Sequence, residues 1–335
     1  MSKPANPAVH VGVDVSAEML AVALQRGSED VQSFEIPNSP DGFQTLLRRA
    51  LSGHRGHARC VVEATGLYSL DLALHLDRSP RVEVMVANPR AVRHYAKALM
   101  RRAKTDSVDA CLLLNFAQNF PFKPWKAPAE ETLTLRAFAR RIRGLTTDRA
   151  REKNRLHAIS ASNAMPQAIR DDIEANIEQL NQRVNRLEAQ TIDFIKAHPA
   201  IRAKADLVRS VPGIAWRSTI YVLGELLCLD PEMDARQLVA HAGLDPRPFQ
   251  SGTSVHATAR ISKAGNKYLR AALYMPAVAS SRSAPEVQRF YKRLEDNNKR
   301  GLQPMVAVMR KLLHVVHGVL RTETPYNPAR FSPNI

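Results

Sequence analysis

The chain has 335 residues, 44% of them hydrophobic, which is enough for two or three globular domains. Its net charge of +16 and pI of about 10.2 predict a polyanionic partner, and basic residues spread over every segment favour nucleic acid over a membrane surface. Three dispersed cysteines argue against a disulfide framework, and the polar residues 1–11 and the lack of a long apolar run favour a cytoplasmic protein.

Alternating strands and helices are predicted between residues 10 and 120, because short apolar runs there are separated by turn residues. The predicted strands are 11–15, 19–24, 31–36, 59–63 and 82–86, and the predicted helices are 42–51, 68–76, 91–100 and 107–119. The first two strands have a compact connection suited to a hairpin. This order predicts a mixed α/β layer fold.

The remainder of the chain is predicted to be helical. After a Pro-rich linker at 121–128, apolar residues recur at alternating spacings of four and three from 173 to 194, as in a coiled coil. We expect an antiparallel hairpin with a helix at 133–159, which would also mediate oligomerisation; the alternative is one long helix packed within its own chain. The last helix, 302–320, has an apolar stripe, and Arg310 and Lys311 are predicted on its wet side.

Four carboxylates are the candidate metal ligands. Asp14 lies in an apolar strand, where a charge is costly unless it is solvated or paired. Glu63 ends a second apolar strand, and Asp106 and Asp109 share one face at the start of a helix, where the alternative is a simple capping role. Hard oxygen ligands select Mg²⁺ or Mn²⁺, and such ions act on phosphodiesters. We call these four residues the acid set.

A family resemblance follows from this order of acids. The segments 11–15, 62–66, 87–89 and 104–110 resemble the RuvC-like branch of the ribonuclease H fold, and more closely the insertion-sequence transposases related to the Piv DNA invertases. The resemblance spans nearly the whole chain. It implies an α/β RuvC-like DEDD metal domain at 8–122, a helical, coiled-coil-like middle at 130–200 and a mainly α C-terminal serine transposase domain at 205–325.

A candidate nucleophile lies in the C-terminal part. Gln250-Ser251-Gly252 precedes a segment rich in Arg and Lys, and without the resemblance a Ser-Gly pair is most simply a turn. The resemblance implies that Ser251 forms a phosphoserine link to DNA, with Ser254 and Ser262 as competitors. A metal-bound oxygen or a carboxylate of the other domain could remove its proton. The expected nucleic-acid-binding residues are Lys104, Arg260, Lys263, Lys267 and Arg270.

The sequence therefore predicts a transposase or site-specific recombinase that is nucleoid-associated when bound to DNA. Its expected partners are the DNA of element ends and target, a guide (bridge) RNA that the resemblance implies, and further copies of itself in a dimer or tetramer. Two rival hypotheses remain. One is a RuvC-type junction nuclease that uses water as the nucleophile, and the other is a non-catalytic nucleic-acid scaffold.

Overall fold

The computed structural model describes residues 9–53, 55–64, 66–100, 105–161, 164–251 and 255–331, with 248–251 and 255–259 described by their backbone alone. The chain divides into two compact units, Met1–Ala127 and Pro128–Ile335. In the part described, no helix combines the length and the apolarity needed to cross a membrane.

The first unit is a mixed five-stranded sheet with helices. Its strands are β1 (Val9–Val15), β2 (Met19–Arg26), β3 (Gln32–Pro37), β4 (Ala58–Glu63) and β5 (Val82–Ala87), and its helices are α1 (Pro40–Leu51), α2 (Tyr68–Asp77), α3 (Pro89–Ala98) and α4 (Asp106–Asn119). The strand order is β3-β2-β1-β4-β5. The β1–β2 and β2–β3 pairs are antiparallel, whereas β4 runs parallel to both β1 and β5.

Alternation along β1 separates the two faces of this sheet. Val9, Val11, Val13 and Val15 are buried in a core that includes Phe43 and Leu46 of α1 and Leu72 and Leu76 of α2. Val61 of β4 packs on the other face, against residues of α3 and α4. Since side chains alternate between faces along a strand, His10, Gly12 and Asp14 project to the α4 face.

The second unit is mostly helical. Its helices are α5 (Glu130–Ser160), α6 (Gln167–Ala197), α7 (Pro199–Arg209), α8 (Trp216–Leu226), α9 (Ala235–His241), α10 (Lys267–Ala272), α11 (Tyr274–Ser283), α12 (Pro285–Asp296) and α13 (Gln303–Thr322), followed by a 3-10 turn at Pro328–Arg330. A two-stranded antiparallel hairpin, β6 (Pro246–Ser251) and β7 (Val255–Ile261), interrupts them.

The two longest helices form the antiparallel hairpin that the heptad spacing predicts. Arg149 Nη1 of α5 donates a 2.9 Å hydrogen bond to Asn181 Oδ1 of α6, and Arg170 of α6 reaches back to the carbonyl of Ile159. One apolar core then continues from α5 and α6 through α7–α13 to Phe331. The predicted segments 130–200 and 205–325 therefore share a core in one compact unit.

One sequence-based prediction for α13 is wrong. Lys311, predicted on the wet side, is only 6% exposed. Its pKa is lowered by burial and then by the nearby Arg293. The physical reason is that the chain after α13 returns along this helix, so that Lys311 and Phe331 line the same cavity.

Candidate functional site

The register of the sheet places Asp14 and Glu63 side by side. In the parallel β1–β4 pair, Gly12 is the partner of Val61 and Val13 is the partner of Val62. One residue further along both strands lie Asp14 and Glu63. Because Glu63 is two residues beyond Val61 and Asp14 two beyond Gly12, both carboxylates project to the α4 face at the carboxyl ends of neighbouring strands.

Helix α4 lies directly on β1 at Gly12. A Cβ atom at residue 12 would stand 2.2 Å from both the carbonyl oxygen of Ala110 and the amide nitrogen of Leu114. Only the absence of a side chain allows this approach of helix backbone to strand backbone. The sequence therefore needs glycine here, between two valines, for α4 to pack against the strand.

The direction of α4 brings its N-terminus toward Asp14. At its other end, Gln118 donates a 2.5 Å hydrogen bond to Gln25, and Gln25 is the β2 partner of His10. From there α4 passes Gly12 at Ala110. One further turn, a rise of about 6 Å, leads to Asp106, and the two residues from Gly12 to Asp14 span about the same length.

The first turn of α4 carries the other two acids. Thr105 caps the helix: its side chain accepts a hydrogen bond from Val108 N–H, and its carbonyl accepts one from Asp109 N–H. Asp109 is half-buried and Asp106 is exposed. Their spacing of three residues puts both on one side of the helix. Acidic groups there are also favoured by the helix dipole.

The elements that carry the acid set thus meet at one end of one sheet face, but the four carboxylates do not form a metal cage. Asp14 and Glu63 each engage in further polar interactions. Within the described ranges, no three His, Cys, Asp or Glu side chains are grouped closely enough to hold a metal ion. The donor chemistry nevertheless fits a divalent metal of the Mg²⁺ class, because all four candidate ligands are carboxylates. Lys104 lies outside the described residues.

The candidate nucleophile Ser251 is the last residue of β6, where it pairs with Val255 of β7. Ser254 lies outside the described residues. Ser262 has a structural bonding pattern, since its hydroxyl donates to Asp245 Oδ1 at 2.5 Å and accepts from the amide of Ala264. These bonds hold the chain that leaves β7 and give the Ser262 hydroxyl a structural role.

The predicted basic residues of this region divide into two groups. Arg260, Lys263 and Lys267 are exposed. Arg270 is half-buried, and its Nη1 donates a 2.7 Å hydrogen bond to the carbonyl of Ala242. The exposed three are free to meet phosphates, whereas Arg270 supports the turn after α9.

A buried polar network below this segment was missed by the sequence analysis. Glu225 is 3% exposed and accepts hydrogen bonds from Arg140 at 2.8 and 3.0 Å and from Asn266 Nδ2 at 2.7 Å. Hydrogen bonding to Glu225 raises the pKa of Arg140. Asn266 also caps α10 by accepting from the amides of Tyr268 and Leu269. The network therefore fixes the start of the basic helix α10.

One feature of the sequence does indicate this buried network. Glu225 interrupts the apolar stretch 221–229 inside a helix, and a charge buried there requires a partner. His241 lies nearby with its Nε2 buried and no hydrogen-bond partner for that atom in the part of the chain described. Burial lowers the pKa of His241, and the nearby Glu225 opposes this shift.

Comparison with known proteins shows that this chain is similar to transposases. Residues 11–160 match a transposase family model of the DEDD type from IS110 elements, and residues 205–292 match a model described as the transposase IS116/IS110/IS902 family. The pilin gene-inverting protein of Moraxella bovis is 30% identical over 321 residues, covering 95% of this chain and 97% of the relative.

Two further relatives extend this pattern. The pilin gene-inverting protein of Moraxella lacunata is 30% identical over 299 residues, which cover 88% of this chain and 91% of that protein. An uncharacterized 42 kDa protein of insertion element IS900 from Mycobacterium paratuberculosis is 24% identical over 297 residues, covering 85% and 70%.

Proposed function

This chain belongs to the IS116/IS110/IS902 family of transposases and is a DNA recombinase, and we propose that it recombines DNA through the nucleophile Ser251 with a divalent metal ion held by the acid set. The N-terminal unit would then be a RuvC-like ribonuclease H fold. Its strand order, with antiparallel β1–β3 followed by parallel β4 and β5, supports that assignment.

The observation that carries the proposal is the placement of the acids by three separate elements. Asp14 and Glu63 occupy neighbouring strand ends on one face, and the contact at Gly12 directs the first turn of α4 toward them. A purely structural role for acids explains Asp106 and Asp109 as helix-start residues. It does not explain why two acids of apolar strands lie at the same end of the same face.

The proposed metal is Mg²⁺ or Mn²⁺, which Asp14, Glu63, Asp106 and Asp109 would hold. When bound, such an ion neutralises charge on a phosphodiester as it is attacked. The four carboxylates would hold this ion and supply the negative charge that balances it. Glu63 and Asp14 are suited to positioning because they stand on rigid strands.

The proposed covalent step balances without a co-reactant. Ser251 Oγ attacks a backbone phosphorus, so a serine–phosphate bond forms and the bond from phosphorus to one sugar oxygen breaks. The serine proton passes to a general base, and the departing sugar oxygen takes up a proton, so the step is balanced in protons. A sugar hydroxyl of another strand can reverse the step, because the phosphoserine retains the energy of the broken bond.

The partners in this proposal are DNA ends, target DNA and a guide RNA, in a dimer or tetramer. The net charge of +16 favours the binding of several nucleic-acid strands. Arg260, Lys263 and Lys267, which are exposed around the start of α10, are the proposed phosphate contacts beside Lys104. The names of the Moraxella relatives refer to inversion of a pilin gene, which is itself a rearrangement of DNA.

Two substitutions and a matched control test the mechanism. DNA that flanks the gene serves as the substrate and RNA transcribed from the same region as the guide, and strand cleavage and rejoining are measured on gels. We expect Ser251→Ala and Asp14→Asn each to lower cleavage by at least about 10³-fold, as is usual when a nucleophile or metal ligand is lost. Ser262→Ala should retain cleavage.

Two outcomes separate this mechanism from its rivals. Cleavage without rejoining, unaffected by Ser251→Ala, would identify a nuclease that uses water. Loss in Ser262→Ala with normal Ser251→Ala would assign the nucleophile to Ser262 instead.

A further inference from the structure

A cavity of about 290 Å³ lies between α13 and the segment 323–331 that follows it. We call it the tail cavity. Two hydrogen bonds hold the segment beside α13. Tyr326 donates one from its amide to Ser210 Oγ at 2.8 Å and one from its hydroxyl to Glu286 at 2.7 Å. At the far end, Phe331 is buried against Phe290, with ring centroids 6.1 Å apart. The cavity is therefore bounded by ordered chain on both sides.

Lys311 is the notable residue of the tail cavity. It is 6% exposed, lines the cavity, and its Nζ lies 5.1 Å from the ring centroid of Phe331. No acidic side chain among the described residues forms an ion pair with it. Burying an ammonium group without a counter-charge is costly. One aromatic contact offsets only part of that cost.

Guanidinium groups lie near this ammonium. Arg330 lines the same cavity, and a smaller cavity lined by Arg310 and His314 also reaches Lys311. The Nε of Arg310 is buried and has no hydrogen-bond partner within the described ranges. The pKa of His314 is lowered first by burial and then by Arg310 and Lys311. The formally charged side chains that line the tail cavity, Lys311 and Arg330, are therefore both positive and reinforce each other's potential.

We propose that the tail cavity binds the phosphate group of a nucleotide, with Lys311 as its central contact. Ammonium and guanidinium groups are the usual partners of phosphate. Thr322, Thr324 and Asn327 add hydroxyl and amide groups to the lining, and Val315 and Val319 add an apolar part for a sugar or base. The volume is close to the roughly 300 Å³ at which ligand pockets begin, which fits one nucleotide unit.

Two kinds of molecule carry such a phosphate group: a free mononucleotide and the phosphorylated end of a nucleic-acid strand. Calorimetry on the full-length protein distinguishes them with three probes. These are adenosine monophosphate, a short single-stranded oligonucleotide with a 5′-phosphate, and the same oligonucleotide with a 5′-hydroxyl. The hydroxyl-ended strand measures the binding that a basic protein gives to any nucleic acid.

Two variants remove the site by different means. Lys311→Met deletes the buried charge and keeps the length of the side chain. Gly318→Leu leaves every cation in place, but Gly318 lines the cavity and a Cβ there meets nothing within 4 Å, so leucine would fill the space. Gly144→Leu is the matched control, because Gly144 is also a helical glycine with open space around its Cβ.

We expect both cavity variants to weaken binding of the phosphate-bearing probe by about tenfold or more, and Gly144→Leu to leave it unchanged. Weakening for adenosine monophosphate identifies a free nucleotide, whereas weakening for the 5′-phosphorylated strand alone identifies a nucleic-acid end.

Three results would overturn the proposal. The first is that neither phosphate-bearing probe binds more tightly than the hydroxyl-ended strand. The second is that both variants bind with wild-type affinity. The third is that Lys311→Met has a lower melting temperature but unchanged affinity. The last would make Lys311 a structural residue that acts through Phe331.

Discussion

Replacing Gly12 by alanine tests whether the contact of α4 with β1 holds the acid set together. A Cβ at residue 12 would lie 2.2 Å from the carbonyl oxygen of Ala110 and the amide nitrogen of Leu114. Ordinary contact requires about 3.5 Å, so α4 must move away from the sheet by roughly 1 Å. That movement carries Asp106 and Asp109 away from the two strand acids.

The size of the effect follows from two separate costs. Overpacking of this kind destabilises a protein by about 1–3 kcal/mol, which corresponds to a fall of roughly 3–10 °C in the melting temperature of the unit. A displacement of about 1 Å in a catalytic group can cost about 10²-fold in rate. We therefore expect Gly12→Ala to fold at 25 °C and to lose about 99% of its strand cleavage.

The assay pairs thermal unfolding with DNA strand cleavage at saturating Mg²⁺. Gly144→Ala is the control, because it adds a methyl group to a helix with open space around it and should stabilise α5 by up to about 1 kcal/mol without a change in cleavage. Wild-type cleavage in a folded Gly12→Ala protein would refute the argument that α4 positions the acids.

Two further predictions concern buried polar groups. Glu225→Gln should lower the free energy of unfolding by about 1–3 kcal/mol, because Glu225 is the acceptor for Arg140 and Asn266. In the same denaturant titration, Asp148→Asn at the solvent-exposed pair with Arg151 should cost less than about 0.5 kcal/mol. Burial lowers the pKa of four histidines below their usual 6.5: His10, His75, His241 and His314. Their stabilising contribution is present above pH 6.5 and is lost as the pH falls, since the unfolded chain then binds more protons. The melting temperature should therefore fall between about pH 7.5 and 5.5, and an equal fall in His241→Gln would contradict a contribution from that histidine.

The first unit was largely predictable because its strands are short apolar runs bounded by turn residues. The predicted strands and helices correspond to β1–β5 and α1–α4, with shifts of a few residues at their ends. The register was not predictable. The local sequence does not indicate that Val13 pairs with Val62. This pairing is what places Asp14 beside Glu63.

The second unit shows where local patterns fail. The hairpin of β6 and β7 was missed because Pro246 and Pro248 in β6 argue against a strand. Lys311 was misplaced because helical periodicity describes one face of α13 against a core. It contains no information on the later segment 323–331 that lines the other side of the tail cavity. Long-range contacts of this kind are a property of the folded chain.

Trapping of a covalent protein–DNA intermediate would identify the nucleophile. The protein is incubated with Mg²⁺, the DNA that flanks its gene and RNA transcribed from that region. It is then denatured rapidly and digested with protease and nuclease, and the modified peptide is mapped by mass spectrometry. We expect a nucleotide-linked phosphoserine at Ser251 that is absent in Asp14→Asn. Cleaved DNA with no protein adduct, or an adduct on a different residue, would contradict it.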